Sequence, residues 1–349
     1  MTTVPPGTTA STPQVGDDAG LICGYLFDGD LRTHAGALPR PLDSTQASAW
    51  LAAPPAQDGF ALLHFNLAHA GAERWLRRHA GLTDAFFEAL QGGLHSTRIE
   101  RDDDALVAVI NDVQFDFAFE SSDIATLWVS VGARLVVTAR TRPLRSVDAL
   151  RTAVRRGEAP GSSIGLLEQL MRTQADGLVG IVRGVTTRVD DVEDALLSGR
   201  LDRKRARLGV LRRLLVRLQR LLAPEPAALF RLLQHPPAWV PEDALQELRG
   251  ASEEFSVVLR DMQGLQERIK LLQEEIAASV NEDNNRSLFV LTVVTVLALP
   301  INILAGLFGM NVGGIPLADH AHGFWIVVAI VLGFTAVAGW VAFRRHRDG

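Results

Sequence analysis

Residues 299–316 read Leu299-Pro300-Ile301-Asn302-Ile303-Leu304-Ala305-Gly306-Leu307-Phe308-Gly309-Met310-Asn311-Val312-Gly313-Gly314-Ile315-Pro316. The stretch begins inside an apolar run long enough to cross a bilayer and ends in a glycine-rich loop that cannot continue as helix. Two amides, Asn302 and Asn311, interrupt hydrocarbon-like sequence. A polar group in that setting is costly unless it finds a partner, so both are functional candidates. Pro300 frees a backbone carbonyl and permits a bend, while Gly306 and Gly309 permit close approach of neighbouring helices. The stretch reads as the mouth and upper wall of an ion pathway.

Outward from it lie two spans, 288–308 and 323–343, each about the length a hydrocarbon core of roughly 30 Å requires. Neither contains Asp, Glu, Lys or Arg. Arg286 precedes the first span, Arg344, Arg345 and Arg347 follow the second in a basic tail at 344–349, and the loop 309–322 has no Lys or Arg. The positive-inside rule then puts both termini in the cytoplasm and the loop outside. Trp325 and Trp340 sit near the two ends of the second span, where interfacial anchors belong.

The first span has a polar side. At 3.6 residues per turn, Asn285, Leu288, Thr292, Thr295, Leu299, Asn302 and Gly306 fall along one slowly drifting stripe. One reading makes the stripe dry, with the threonines bonded back to carbonyls one turn earlier and Asn302 acting as interhelical glue. The other makes it wet. One chain with two spans encloses no lumen, so a wet stripe demands several copies around an axis, each residue becoming a ring. Asn311 then presents amide carbonyls at the outer mouth, suited to a hard, hydrated divalent cation, and Leu288, Leu291 and Leu299 supply hydrophobic constrictions that close by dewetting. In the outer loop, Asp319, His320 and His322 are zinc-type ligands that either attract cations to the mouth or simply form a hydrophilic hairpin tip. They make no firm metal site.

Upstream, an unbroken apolar stripe from Pro241-Glu242-Asp243 runs to Phe308 without proline or strong cap before Pro300, predicting one helix about 100 Å long. Residues 242–287 form its stalk, too long for one compact domain and suited to bundling with copies of itself. Its acids Asp261, Glu267, Glu274, Glu275, Glu282 and Asp283 pair with Arg260, Arg268, Lys270 and Arg286 or hold cations between subunits. Region 161–241 is helical. One helix is capped by Ser162 or Ser163 and runs to Ser198-Gly199; a second, rich in arginine from Arg200 to Arg220, ends at Pro224. Its arginines either meet Asp190, Asp191, Glu193 and Asp194 of the preceding helix or contact an anionic partner.

Residues 21–160 mix strand and helix signals and predict an α/β domain. The strand candidates are 21–27, 60–66, 106–110 with 114–119 nearby, and a hairpin of 124–131 and 133–139 through Gly132. Helices are expected at 72–79 and 83–91, the latter with Thr83 at its N-cap position. Residues 1–20, rich in Thr, Pro, Gly and Ser, read as a disordered tail without a signal peptide.

Several classes are excluded. The net charge of −5 over 349 residues leaves no nucleic-acid footprint. Cys23 is the only cysteine, which rules out disulfides and thiolate clusters within one chain. His64, His69, His79 and His95 lie on different elements without ligand spacing, Asp102-Asp103-Asp104 reads as a solvated turn, and no phosphate-cradling glycine loop occurs. No nucleophile, base or cofactor constellation converges, so the chain is not read as an enzyme.

Gly309-Met310-Asn311 after a proline-containing span, with two C-terminal spans, a short outer loop and a long stalk helix, resembles the CorA superfamily of divalent-cation transporters. The continuation Val312-Gly313-Gly314-Ile315-Pro316 is similar to its zinc-transporting ZntB branch; the Met-Pro-Glu usual in the magnesium branch is absent. The resemblance implies an α+β membrane protein forming a funnel-shaped homopentamer. It places Gly309, Met310 and Asn311 at the filter, and Asn285, Leu288, Leu291, Leu299 and Asn302 along the pore. It also implies Zn²⁺ uptake across a bacterial inner membrane, with proton coupling, although neither span carries Asp, Glu or His. The alternatives are Mg²⁺ or Co²⁺ transport on the same frame, and a membrane-anchored scaffold without transport.

Overall fold

The computed structural model describes residues 16–28, 38–54, 59–92, 97–114, 116–119, 123–158, 160–198, 205–310 and 321–347. The chain divides into two compact units, one ending at Leu271 and one starting at Leu272.

The first unit is built on a seven-stranded sheet: β1 (Leu21–Asp28), β2 (Arg40–Leu42), β3 (Gly59–Asn66), β4 (Arg98–Asp102), β5 (Ala105–Val113), β6 (Ile124–Val131) and β7 (Leu135–Arg140), in the order β2-β1-β3-β7-β6-β5-β4. Among the described strands only β3 and β7 pair in parallel. Around it lie α1 (Ser44–Ala52), α2 (Ala72–His79), α3 (Asp84–Gln91), α4 (Arg145–Arg155), α5 (Ser163–Leu197), α6 (Arg205–Leu222), α7 (Pro224–Gln234) and the start of α8 (Glu242–Phe308).

Both faces of the sheet are covered. Leu106, Ala108 and Ile110 of β5 share a core with Val147 and Leu150 of α4, Ile164 and Leu167 of α5, Leu229 of α7 and Leu248 of α8. The intervening Val107 and Val109 belong to the opposite core, with Ala47 of α1, Leu76 of α2 and Phe86 of α3. Burial on both sides explains why β6 is buried at every position and reads as a nearly continuous apolar run instead of an alternating one.

The expected strands at the sheet centre are present, and Gly132 joins β6 to β7. Residues 114–119 are not a strand among the described residues. Gln114 makes an isolated bridge to Leu144, and Phe119 adopts φ 65°, turning the chain so that Arg188 of α5 stacks 3.7 Å over its ring. Thr83 holds the N-cap position of α3, but its hydroxyl makes no capping bond. The Asp102–Asp104 run closes the β4–β5 hairpin, with Asp103 at φ 53°.

Sequence reading missed β2, β4, α1, α4 and α7. Asp43 and Gln46 form a reciprocal capping box that starts α1. Pro224, expected as a stop, is also the first residue of α7, where its missing N–H has no helical partner to lose. α5 begins as expected, the Ser162 hydroxyl accepting from Gly165 N at 3.2 Å. Two of the acids near its end are bridged by Arg268 of α8, which meets Asp190, at 2.8 Å, and Glu193. Lys270 pairs with Glu267 at 3.2 Å, as expected for the stalk charges.

α8 runs 67 residues. Leu248, Phe255, Met262 and Ile269, spaced by seven, are each fully buried, a seam that welds this part of the helix to the first unit. In the second unit, the C-terminal part of α8 and α9 (Gly323–Arg347) are each long and apolar enough to span a membrane.

Candidate ion pathway

In the second unit, Asn285, Leu288, Thr292, Thr295, Leu299, Asn302 and Gly306 are all exposed. At 100° per residue they cluster on one side of α8. Of the half-covered residues, Phe289, Val293, Leu297, Ile301 and Leu304 centre on the other side, about 160° away; Pro300 lies toward that side and Ala298 beside the stripe. The polar stripe is therefore left open by this chain's own packing. Leu291, 63% exposed, lies at its edge.

The chemistry of the stripe is set by the helix beneath it. Thr292 donates to Leu288 O at 2.7 Å and Thr295 to Leu291 O at 2.8 Å. With its proton spent on the helix, each hydroxyl turns lone pairs, not a donor, toward whatever lies beyond it. The Asn285 and Asn302 side chains make no hydrogen bond among the described residues, leaving an amide oxygen on each to offer a cation's hydration shell. The stripe thus presents neutral oxygens separated by Leu288 and Leu299, which are 59% and 58% exposed.

Pro300 sits inside α8 without ending it. The helix ends at Phe308, with Gly309 N still bonded to Ala305 O at 3.0 Å. A side chain on Gly309 would bring its first carbon to 3.0 Å from that oxygen, so glycine suits this exit; at Gly306, among the described residues, nothing beyond the helix's own adjacent backbone lies within 4 Å of such a carbon, leaving room for another helix. Met310 is exposed. Asn311, Asp319 and His320 lie outside the described residues, as does His95; His322 is exposed and its carbonyl accepts from Ile326 N.

α9 shows the marks of a lipid-facing helix. Phe324, Trp325 and Trp340 are 71%, 68% and 61% exposed, and Arg344 stands 4.9 Å over the Trp340 ring, an aromatic and a cation at one end of the span. Among the described residues no group of three or more His, Cys, Asp or Glu side chains is placed to hold a metal ion.

The chain thus has an α/β unit and a 67-residue helix whose C-terminal end, with α9, makes two apolar stretches long enough to cross a membrane. The model of the CorA-like Mg²⁺ transporter family matches residues 57–345, and the chain belongs to that family. It is 28% identical over 334 residues to the divalent cation transporter CmaX of Pseudomonas aeruginosa, covering 95% of this chain and 98% of that protein. It is 25% identical over 287 residues to the zinc transport protein ZntB of Yersinia enterocolitica, covering 81% and 86%. The solved full-length CmaX superposes with a TM-score of 0.77 over 95% of this chain and 99% of its own, again at 28% identity. The CorA magnesium transporter of Methanocaldococcus jannaschii shares the fold at 0.74, with 19% identity and coverage of 92% and 97%.

Proposed function

We propose that five copies of the chain surround an axial pore that carries Zn²⁺ inward across a bacterial inner membrane, with both termini in the cytoplasm and Asn311 ringing the outer mouth. The observation that carries this reading is a line along α8. Every seventh residue from Gly250 is exposed and uncharged: Gly250, Val257, Gly264, Leu271, Ala278, Asn285, Thr292, Leu299 and Gly306. Charge stays on the flanks, at Glu253, Glu254, Arg260, Asp261, Glu267, Arg268, Glu274, Glu275 and Glu282.

A straight α-helix slips about 20° per seven residues, so a strict seven-residue line held over this length fits helices supercoiled about a common axis. Lipid does not select for an uncharged line where the helix is flanked by charges. A shared axis does, because like charges stacked there in every copy would repel. The small residues let the helices approach, and the amides and hydroxyls take over where the line enters the apolar span.

Zinc is favoured by the loop 312–316 and by the relatives named for zinc transport. The neutral stripe by itself accommodates Zn²⁺, Mg²⁺ or Co²⁺, since it holds a hydrated ion by its water shell. Proton coupling must come from outside the two spans, which hold no titratable side chain. Purified protein in liposomes, loaded with dyes for each ion and for pH, separates these possibilities. Zn²⁺ uptake exceeding Mg²⁺ uptake and accompanied by internal acidification is the expected result. Mg²⁺ flux without Zn²⁺ flux would move the chain to the magnesium-carrying alternative, and absence of flux under every gradient would favour the scaffold.

A further inference from the structure

Between the chain ahead of β6 and the helices α5 and α6 lies a cavity of about 290 Å³. Its floor is apolar: Val192 of α5 and Leu211 of α6 line it and are 2% and 5% exposed. Val210 of α6 also lines it but is 43% exposed, which marks the side open to solvent. The remaining wall is the segment that ends at Phe119.

That wall is held in place. Phe119 has φ 65°, a backbone conformation that a bulky residue keeps only where its surroundings enforce it. Its ring lies against the backbone of α5 at Gly184, where the first carbon of a side chain would come within 2.8 Å of Phe119 Cζ, so glycine lets the ring sit this close. Arg188 stands 3.7 Å over the ring, its guanidinium steadied by Nη1 donating to Gly184 O at 2.8 Å. One residue earlier, Ala118 N donates to Asp123 Oδ2 at 2.8 Å. Charge around the cavity is uneven: Arg188 and Arg207 line it against one carboxylate, Asp191.

We propose that this cavity binds a small aromatic carboxylate, its ring packed on Val192, Leu211 and the Phe119 wall and its carboxylate paired with Arg207. An apolar hollow with a few polar groups at one side is the usual form of a small-molecule site, and its volume, at the low end of such sites, suits a single ring. The excess of one guanidinium over carboxylates selects a monoanion, and the planar carboxylate matches the guanidinium fork. Arg188 is committed to Phe119 and Gly184, which leaves Arg207 to take the charge. An aromatic ring gains contacts with Phe119 and Arg188 that an aliphatic chain does not. The site lies wholly within the first unit and is independent of the proposed transport.

Calorimetric titration of the full-length protein in neutral detergent, at fixed ionic strength, tests the site with sodium benzoate, benzyl alcohol and benzylamine, which share a ring and differ in charge. Saturable binding of benzoate is expected, about tenfold tighter than that of the other two. R207Q, which changes an exposed side chain, should weaken benzoate about tenfold. V210W, which fills the cavity from its open side, should abolish binding, with far-ultraviolet circular dichroism verifying its fold. No saturable benzoate binding, equally tight benzylamine binding, or undiminished benzoate binding by either variant overturns the proposal.

Discussion

Asn311→Leu should reduce cation flux to background while leaving the oligomer intact. In the proposed pore, each copy contributes one amide carbonyl to the outer mouth, so a single substitution changes every position of the ring. The arriving ion keeps its water shell and exchanges hydrogen bonds with those carbonyls; leucine offers none, and the shell must be stripped or the ion turned away. At about 1–3 kcal/mol for each unsatisfied polar contact, summed over several copies, the barrier rises enough to lower flux by more than a hundredfold. Size-exclusion with light scattering reports assembly and a liposome assay reports flux. Normal transport by the variant would remove Asn311 from the pathway.

The second large effect concerns stability. Glu225 of α7 is fully buried; the Thr97 and Gln174 side chains lie beside its carboxyl, but neither carboxyl oxygen receives a well-formed hydrogen bond among the described residues. Burial raises its pKa well above the ordinary carboxylate range, and nearby Asp112 raises it further, against a smaller opposing pull from Thr97 and Gln174. Asp112 is itself buried and raised, although it accepts from Ser146 N at 2.9 Å and Ser146 Oγ at 2.6 Å. Burial thus favours the neutral acid over the carboxylate in the native state.

The sign follows from linkage. Between the ordinary pKa and the raised native one, the unfolded chain has lost a proton that the native chain retains, so stability falls as pH rises through that window. Glu225→Gln keeps the shape and removes the titration. It should be more stable than the parent by about 1–3 kcal/mol at pH 8, with a shallower pH slope, the residue of which belongs to Asp112. Denaturant unfolding at pH 5 and pH 8 checks this. Identical slopes in parent and variant would mean that Glu225 is ionised in the native protein.

Much of this architecture was legible in the residues because one pattern was long. The apolar stripe from Leu245 to Phe308 left no place for a break, and the structure carries one helix from Glu242 to Phe308. Short elements were harder. β4 is Arg-Ile-Glu-Arg-Asp, a charged edge strand whose identity comes from pairing with β5, and α4 starts at Arg145 with no side-chain cap at Leu144. The buried His64–Arg140 bond was invisible for another reason: the two residues are 76 positions apart, and only the sheet brings them together.

The polar stripe was readable as spacing, but its openness was not. Periodicity placed Thr292 and Asn302 on one line, whereas only the fold shows that both are exposed while Phe289, Val293 and Leu297 on the far side are partly covered. The threonines also show that the two sequence readings were not exclusive, since each hydroxyl bonds back to its own helix and still faces outward.

The central claim is that the exposed line of α8 faces water at a shared axis. Because Cys23 is the only cysteine, Cys23→Ser gives a thiol-free background in which single cysteines can be placed at Thr292, on the line, and at Val293, on the covered side. Flux into liposomes is then measured before and after a small, charged thiol reagent. Thr292→Cys should be blocked and Val293→Cys should not; block at Val293 with none at Thr292 would mean that the exposed line does not face the water-filled path.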